Sequence, residues 1–193
     1  MPAAYAYEDT PVPIGRCQTC SEPSMVAFML DLLEPGPGMR MLEIGSGSGY
    51  AAAIASLLCA PGGIVHACEY HGELARSMRS HLDRWGAGRD DAGDVRGVVE
   101  TIAGDGSAGF PDLAPFDRIL VSAGVRRSPP GGRESGSGGG FSEEILLGQL
   151  GEGGILVYPE ASGALYRIRV EGGGRVRESW WGVAFVPLVG ANA

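Results

Sequence analysis

The stretch from Arg40 to Cys68 limits the possible folds more than any other part of the chain. Arg40–Ile44 is a short apolar run stopped by Gly45, Tyr50–Cys59 is alanine-rich and helical in character, and Ile64–Cys68 is again strand-like. A strand, a glycine turn, a helix and a second strand, in that order, form the unit from which parallel sheets are built. The alternation continues downstream. Glu73–Trp85 suits a helix, Val98–Ala103 and Phe116–Ser122 suit strands, Ser142–Leu150 a helix and Ile155–Tyr158 a strand. Leu165–Val170 and Ser179–Val186 then flank Gly172-Gly173-Gly174 as a hairpin. Upstream, Met25, Val26, Met29, Leu30 and Leu33 recur at helical spacing, with Ser21 and Pro23 as a start signal and Pro35-Gly36-Pro37-Gly38 as a stop after Glu34. The pattern predicts an α/β fold: a doubly wound, mostly parallel, Rossmann-like sheet with helices on both faces and an antiparallel C-terminal hairpin.

Composition narrows the chemistry. A chain of 193 residues suits one domain. All 15 basic residues are Arg, so Schiff-base lysine chemistry and a P-loop Lys are excluded. Twenty-three acids give a net charge of −8 with scattered arginines, which argues against nucleic acid as a partner. No apolar run approaches the ~18 residues of a membrane span, and Met1–Thr10 has no basic leader, so a cytoplasmic, membrane-free protein is expected, working as a monomer. Ser128–Gly140 is so rich in Gly and Ser that a mobile segment is expected there, either a lid or slack, and Gly86–Asp94 reads as a solvated connection.

Cys17 and Cys20 form a C-x-x-C, which suits a redox dithiol or half of a zinc site completed by His66 and Cys68. Small buried thiols are the simpler reading, and no metal site is assigned. His66, His71 and His81 show no ligand spacing, and surface or helix-packing roles are expected for them.

The segment Met41-Leu42-Glu43-Ile44-Gly45-Ser46-Gly47-Ser48-Gly49-Tyr50 puts glycines where a strand turns sharply into a helix and a ligand can approach the backbone. A dinucleotide fingerprint, G-x-G-x-x-G, would seat a pyrophosphate; here the third glycine comes one residue early and Glu43 precedes the first by two. Both departures favour a nucleoside cofactor without phosphate. S-adenosylmethionine fits, with loop amides contacting it and Glu43 receiving its ammonium directly or through water. Glu69, at the end of the next strand, is placed to accept ribose hydroxyls. The carboxylate of Gly104-Asp105-Gly106 is placed to accept from the adenine amine.

The chain also resembles a known family, the protein-L-isoaspartate (D-aspartate) O-methyltransferases. Tyr7-Glu8-Asp9, Pro13-Ile14-Gly15 and Gln18-Thr19-Cys20-Ser21-Glu22-Pro23 are similar to its signatures. Leu42 to Gly49, Gly104-Asp105-Gly106, Ala114-Pro115-Phe116-Asp117 and Phe185-Val186-Pro187-Leu188 follow in the family's order. The resemblance implies the class I S-adenosylmethionine-dependent methyltransferase fold over residues 1–193, with 1–38 on the substrate side and 39–193 holding the cofactor. It implies methyl transfer from S-adenosylmethionine to the free α-carboxylate of isoaspartyl residues in damaged proteins, followed by collapse to a succinimide and repair. Ser21 stands where the family has its active-site serine; cofactor contacts are implied at Thr19, Gly45, Ser46, Gly47, Glu69, Asp105 and Gly106, and Tyr70 beside Glu69 is added to them. Ser21 is expected to orient the substrate carboxylate, although it also suits a helix cap. The family has Gly where Cys17 stands, a position at which a side chain would strain a positive φ. Glu22 would repel an anionic substrate unless it turned away or paired with Arg16. A carboxyl methyltransferase specialised for one aspartyl partner, and a cofactor-binding module without catalysis, are the alternative readings.

Overall fold

A computed structural model describes residues 8–86, 97–126 and 141–191. The chain begins with a small hairpin, β1 (Val12–Gly15) and β2 (Gln18–Cys20), and enters α1 (Pro23–Leu33). Then come β3 (Arg40–Ile44), α2 (Tyr50–Cys59), β4 (Ile64–Glu69), α3 (Gly72–Trp85), β5 (Val98–Ala103) and β6 (Phe116–Val121). The remaining elements are α4 (Glu143–Leu147), β7 (Leu150–Pro159), β8 (Ala164–Glu171) and β9 (Gly174–Trp181).

Seven strands form one sheet in the order β5-β4-β3-β6-β7-β8-β9. The pairs from β5 to β7 are parallel; β7, β8 and β9 are antiparallel. The order reverses at β3, whose neighbours β4 and β6 lead away in opposite directions. A crevice therefore opens at the carboxyl ends of these strands, where ligands bind in open α/β sheets.

Strand residues alternate between two cores. Met41, Val65, Leu120 and Val157 face Leu33, Ala52, Met78 and Leu82 of the helices on one side. Leu42, Ile119, Val121 and Leu156 face Phe116, Leu146 and Tyr158 on the other. This double burial is why β3, β4 and β6 read as nearly continuous apolar runs.

The observed elements differ from the expected ones in three places. First, the β1–β2 hairpin has no apolar run to announce it; it turns through Arg16 and Cys17 at φ 54° and 56°. Two successive positive φ values match the right-handed twist of a tight hairpin. Second, α4 stops at Leu147 because the Gly148 N–H closes back onto Glu144 O and Phe116 N–H takes the carbonyl of Gln149, so residue 150 already belongs to β7. Third, β9 starts at Gly174 rather than Ser179. Gly172 and Gly173, both at positive φ, make a two-residue turn that pairs Glu171 with Gly174 at once. The strand ends at Trp181, and Val183–Val186 cross instead to residue 124, with Gly124 N–H donating to Val186 O and Leu188 N–H to Gly124 O, both at 2.8 Å. The expected mobile segment Ser128–Gly140 lies outside the described residues, as does Gly86–Asp94 beyond its first residue.

Candidate functional site

Two adjoining cavities occupy the crevice. Thr19, Gly45, Gly47, Glu69, Tyr70, Gly106, Ser122 and the segment Val186–Val189 line one. The other is bounded by Thr19, Ser21, Glu43, Gly45, Ser46, Gly47, Tyr50 and Ser122. The fold thus brings together every expected site residue except Asp105. Both carboxylate oxygens of Asp105 are engaged by backbone, Oδ1 by Ser107 N–H at 2.9 Å and Oδ2 by Ala191 N–H at 2.7 Å. These bonds hold its carboxyl below the usual range against the opposing effect of burial.

The glycine turn closes onto the end of β4. Gly45 and Ser46 N–H both donate to Cys68 O at 2.9 Å, Gly47 N–H donates to Glu69 Oε2 at 2.9 Å, and Gly49 N–H donates to Ser46 O. Amides at 45, 46, 47 and 49 thus each have a partner within the protein, while Gly45, Ser46 and Gly47 still line the cavities. The cause is conformational: Gly45 and Gly47, at φ 84° and 53°, curl the turn back onto the end of β4. Glu69, 5 % exposed, fixes the turn from the other side, its Oε1 accepting His71 N–H at 2.8 Å. A Cβ at Gly106 would lie 3.0 Å from Cys68 Sγ and 3.1 Å from Ile44 Cγ2, so a bare backbone keeps this side of the cavity open.

What the crevice offers a ligand is therefore acceptors. Glu43 is 1 % exposed; Ser122 Oγ donates to its Oε1 at 2.8 Å, while Oε2 has no hydrogen-bond partner. Burial, with the nearby Glu69 charge, pushes the Glu43 carboxyl up, and the Ser122 and Ser46 hydroxyls and the Ala52 backbone pull the other way. No arginine is among the described residues lining either cavity. Two carboxylates with no arginine beside them suit an ammonium, hydroxyls and an amine and disfavour phosphate; His71 completes the lining of the first cavity. S-adenosylmethionine carries those donors, so the residues present fit it.

Ser21 stands at the junction of the Glu43 cavity with two outer clefts. One is lined by Pro11, Thr19, Glu22 and Ala184–Pro187, the other, about 440 Å³, by Val12, Ile14, Pro23, Tyr50, Leu82 and Trp85. Its expected alternative role as a helix cap is not realised: Glu22 occupies the N-cap of α1, without a side-chain cap bond. The α1 N-terminus is instead served from a distance, Ser24 N–H donating to Asp9 Oδ1 at 2.9 Å. The Ser21 hydroxyl is left without a hydrogen-bond partner among the described residues. Arg16 pairs with Glu73, not Glu22, at 2.5 Å, which ties the hairpin turn to the start of α3.

The remaining chemical groups sort into structure. Cys20 Sγ lies 3.5 Å from Ser48 Oγ, and Cys59 and Cys68 are buried thiols pushed up to about 11 and about 12. All four cysteines are free, and the described residues contain no group of three or more His, Cys, Asp or Glu placed to hold a metal ion. His66, expected at the surface or against a helix, is buried within β4 with its ring 5.9 Å from that of Phe116. No described helix is long and apolar enough to cross a membrane. Ser122 carries no role in the sequence pattern, and Asp9 stands there only within the Tyr7-Glu8-Asp9 signature. Ser122 follows the apolar run of β6 and marks its carboxyl end, a signal that was available; Asp9 acts across 15 positions, and no local pattern announces that.

The whole chain, residues 1–193, matches the family described as Protein-L-isoaspartate(D-aspartate) O-methyltransferase (PCMT). The chain belongs to this family. It is 41 % identical over 189 residues to a protein-L-isoaspartate O-methyltransferase of Methanopyrus kandleri, covering 96 % of this chain and 74 % of that protein. A relative of the same name from Aeropyrum pernix is 41 % identical over 191 residues, covering 97 % of this chain and 65 % of the relative. Among solved structures, a protein-L-isoaspartate O-methyltransferase superposes with TM-score 0.79 at 26 % identity, over 99 % of this chain and 56 % of the other. The Plasmodium falciparum protein-L-isoaspartate O-methyltransferase, in complex with S-adenosyl-L-homocysteine, gives 0.72 at 25 % identity, over 95 % and 81 %.

Proposed function

We propose that the chain transfers a methyl group from S-adenosylmethionine to the free α-carboxylate of isoaspartyl residues in peptides and proteins, with Ser21 orienting that carboxylate. Family membership over the full chain supports the reaction, and one observation carries the assignment of Ser21. It is a hydroxyl without a partner, set where the acid-lined cavity opens to the outer clefts.

When bound, S-adenosylmethionine supplies a methyl group already activated by the sulfonium, so the protein needs no acid or base to create either reactant. Glu43 and Glu69 are the acceptors for the cofactor's ammonium and ribose, and Thr19, Tyr70 and Gly106 border the nucleoside. Ser21 donates a hydrogen bond to one oxygen of the substrate carboxylate and leaves the other aimed inward. The covering segment Val186–Val189 and the β1–β2 hairpin close the crevice from two sides and exclude water, which would otherwise solvate the anion and blunt it. Asp105, which lines neither cavity and accepts from the Ser107 and Ala191 N–H groups, positions Ala191 beside the nucleoside end. Glu22, on the rim of the outer cleft and unpaired with Arg16, disfavours acidic residues next to the isoaspartyl group.

The charged rows of β9 turn inward, Arg175 onto Glu144 and Arg177 onto Glu143, which blunts the open sheet edge and supports a monomer. Four free thiols suit a reducing cytoplasm.

Steady-state kinetics of Ser21→Ala test the assignment. Loss of the hydrogen bond to a charged group should lower turnover of an isoaspartyl peptide roughly 10- to 100-fold, with stability changed by less than about 0.5 kcal/mol. Equal losses of activity and stability would return Ser21 to a structural part.

A further inference from the structure

Glu43 presents an uneven carboxylate. One oxygen is held by the Ser122 hydroxyl at 2.8 Å; the other is buried and unmatched, although the group lines a cavity and is 1 % exposed. A buried polar atom left unsatisfied is costly, so a donor arriving at Oε2 is favoured. Ser122 does not need its hydroxyl to keep its place: its N–H donates to Ile44 O at 2.8 Å, continuing the β3–β6 ladder. The side chain is therefore free for another task, and it borders both cavities.

We infer that Ser122 is a positioning residue for the cofactor's ammonium: it occupies one oxygen of Glu43, so that the other exchanges a proton for that ammonium when the cofactor enters. The inference rests on the reading that these cavities hold S-adenosylmethionine. Its physical basis is the surroundings of Glu43. From β4 it faces Glu69, an acid like itself, and Cys68; from β2 Cys20; from α2 Tyr50 and the Ala52 backbone; from the glycine turn the Ser46 hydroxyl, which with Ala52 opposes burial only in part. None of these supplies a positive charge, and burial raises the Glu43 carboxyl, so the free protein holds it neutral over a wider pH range than an exposed acid. An entering ammonium reverses that balance. The O–H bond of the Glu43 acid breaks, its proton leaves to the buffer, and the carboxylate is retained between the Ser122 hydroxyl and the ammonium. Protons and cofactor thus compete, and affinity rises with pH until the carboxyl is ionised in the free protein.

Calorimetric titration with S-adenosylhomocysteine and with 5′-methylthioadenosine, which has the nucleoside and thioether but no amino acid, separates this from simple packing. In buffers of different ionisation enthalpy between about pH 5 and pH 8, S-adenosylhomocysteine should release up to one proton and bind more tightly as pH rises; 5′-methylthioadenosine should do neither. Ser122→Ala should weaken S-adenosylhomocysteine about 10-fold and leave 5′-methylthioadenosine unchanged, Ser122→Thr should recover most of the loss, and Glu43→Gln should abolish the proton release. Wild-type affinity flat in pH without proton release, or equal weakening of both ligands in Ser122→Ala, overturns the inference while leaving the cofactor reading intact. Failure of both ligands to bind the wild-type protein removes the cofactor reading itself.

Discussion

His66 shows how little a residue type says before its surroundings are known. Its ring is 2 % exposed, packed edge-on against Phe116, and its Nδ1 lies 3.3 Å from Glu100 Oε2. Burial lowers its pKa, and the Glu100 charge only partly offsets that. In the folded state the imidazole therefore resists the proton that the unfolded chain accepts near pH 6.5, so folding loses stability as pH falls below that value. The loss, at most about 1.4 kcal/mol per pH unit, stops once the pH passes the lowered folded value. Denaturant melts of wild type and His66→Gln between about pH 7 and pH 5 check this: the wild type should fall more steeply, and parallel curves would contradict it. Site residues were legible in the sequence to the extent that local pattern fixes them. Glu43, Gly45, Gly47 and Glu69 stand at strand ends that the apolar runs define. The roles of Ser122 and Asp9 were not, because their partners, Glu43 and the Ser24 N–H, lie 79 and 15 positions away.

Among the elements, the parallel strands announce themselves and the β1–β2 hairpin does not. Strands β3, β4 and β6 are buried on both faces and so are mostly apolar; the hairpin lies over the crevice, with Val12–Gly15 alternating half-buried and exposed, and its register comes from the turn. That turn carries two side chains where glycine is preferred. A non-glycine residue in the left-handed region costs roughly 1–2 kcal/mol, of which the extra freedom glycine gives the unfolded chain returns about 0.4–1. Cys17→Gly should therefore stabilise the protein by about 0.5–1 kcal/mol and raise the melting temperature by about 1–4 °C, measured by calorimetry. Arg16→Gly should gain less, since it also removes the bidentate pair with Glu73 that anchors the hairpin to α3. The expected hairpin after Leu165 had the right first strand and the wrong second one, because Arg175, Arg177 and Glu178 hide a strand whose exposed face needs no apolar residue.

At the scale of the molecule, the sheet order places one crevice at the reversal about β3, and the hairpin, α1 and the segment Val186–Val189 enclose it. Elements distant in sequence are thus held together partly by what the crevice contains, and a ligand that binds only the folded state stabilises it by mass action. S-adenosylhomocysteine at about 100 times its dissociation constant should add about 2.7 kcal/mol and shift thermal unfolding upward by several degrees, whereas adenosine diphosphate, whose phosphates would meet Glu43 and Glu69 with no arginine to neutralise them, should add almost nothing. The fold class was readable from the alternation of strand and helix, while the enclosure was not, since it depends on Leu188 N–H and Gly124 O meeting across 64 positions. The central claim is that this crevice methylates one particular carboxylate, and transfer of labelled methyl from S-adenosylmethionine to an isoaspartyl peptide, beside its normal aspartyl twin, tests it most directly. Label should enter the isoaspartyl peptide alone, as an ester that is lost on standing through succinimide formation; equal labelling of the twins, or none in either, would contradict it.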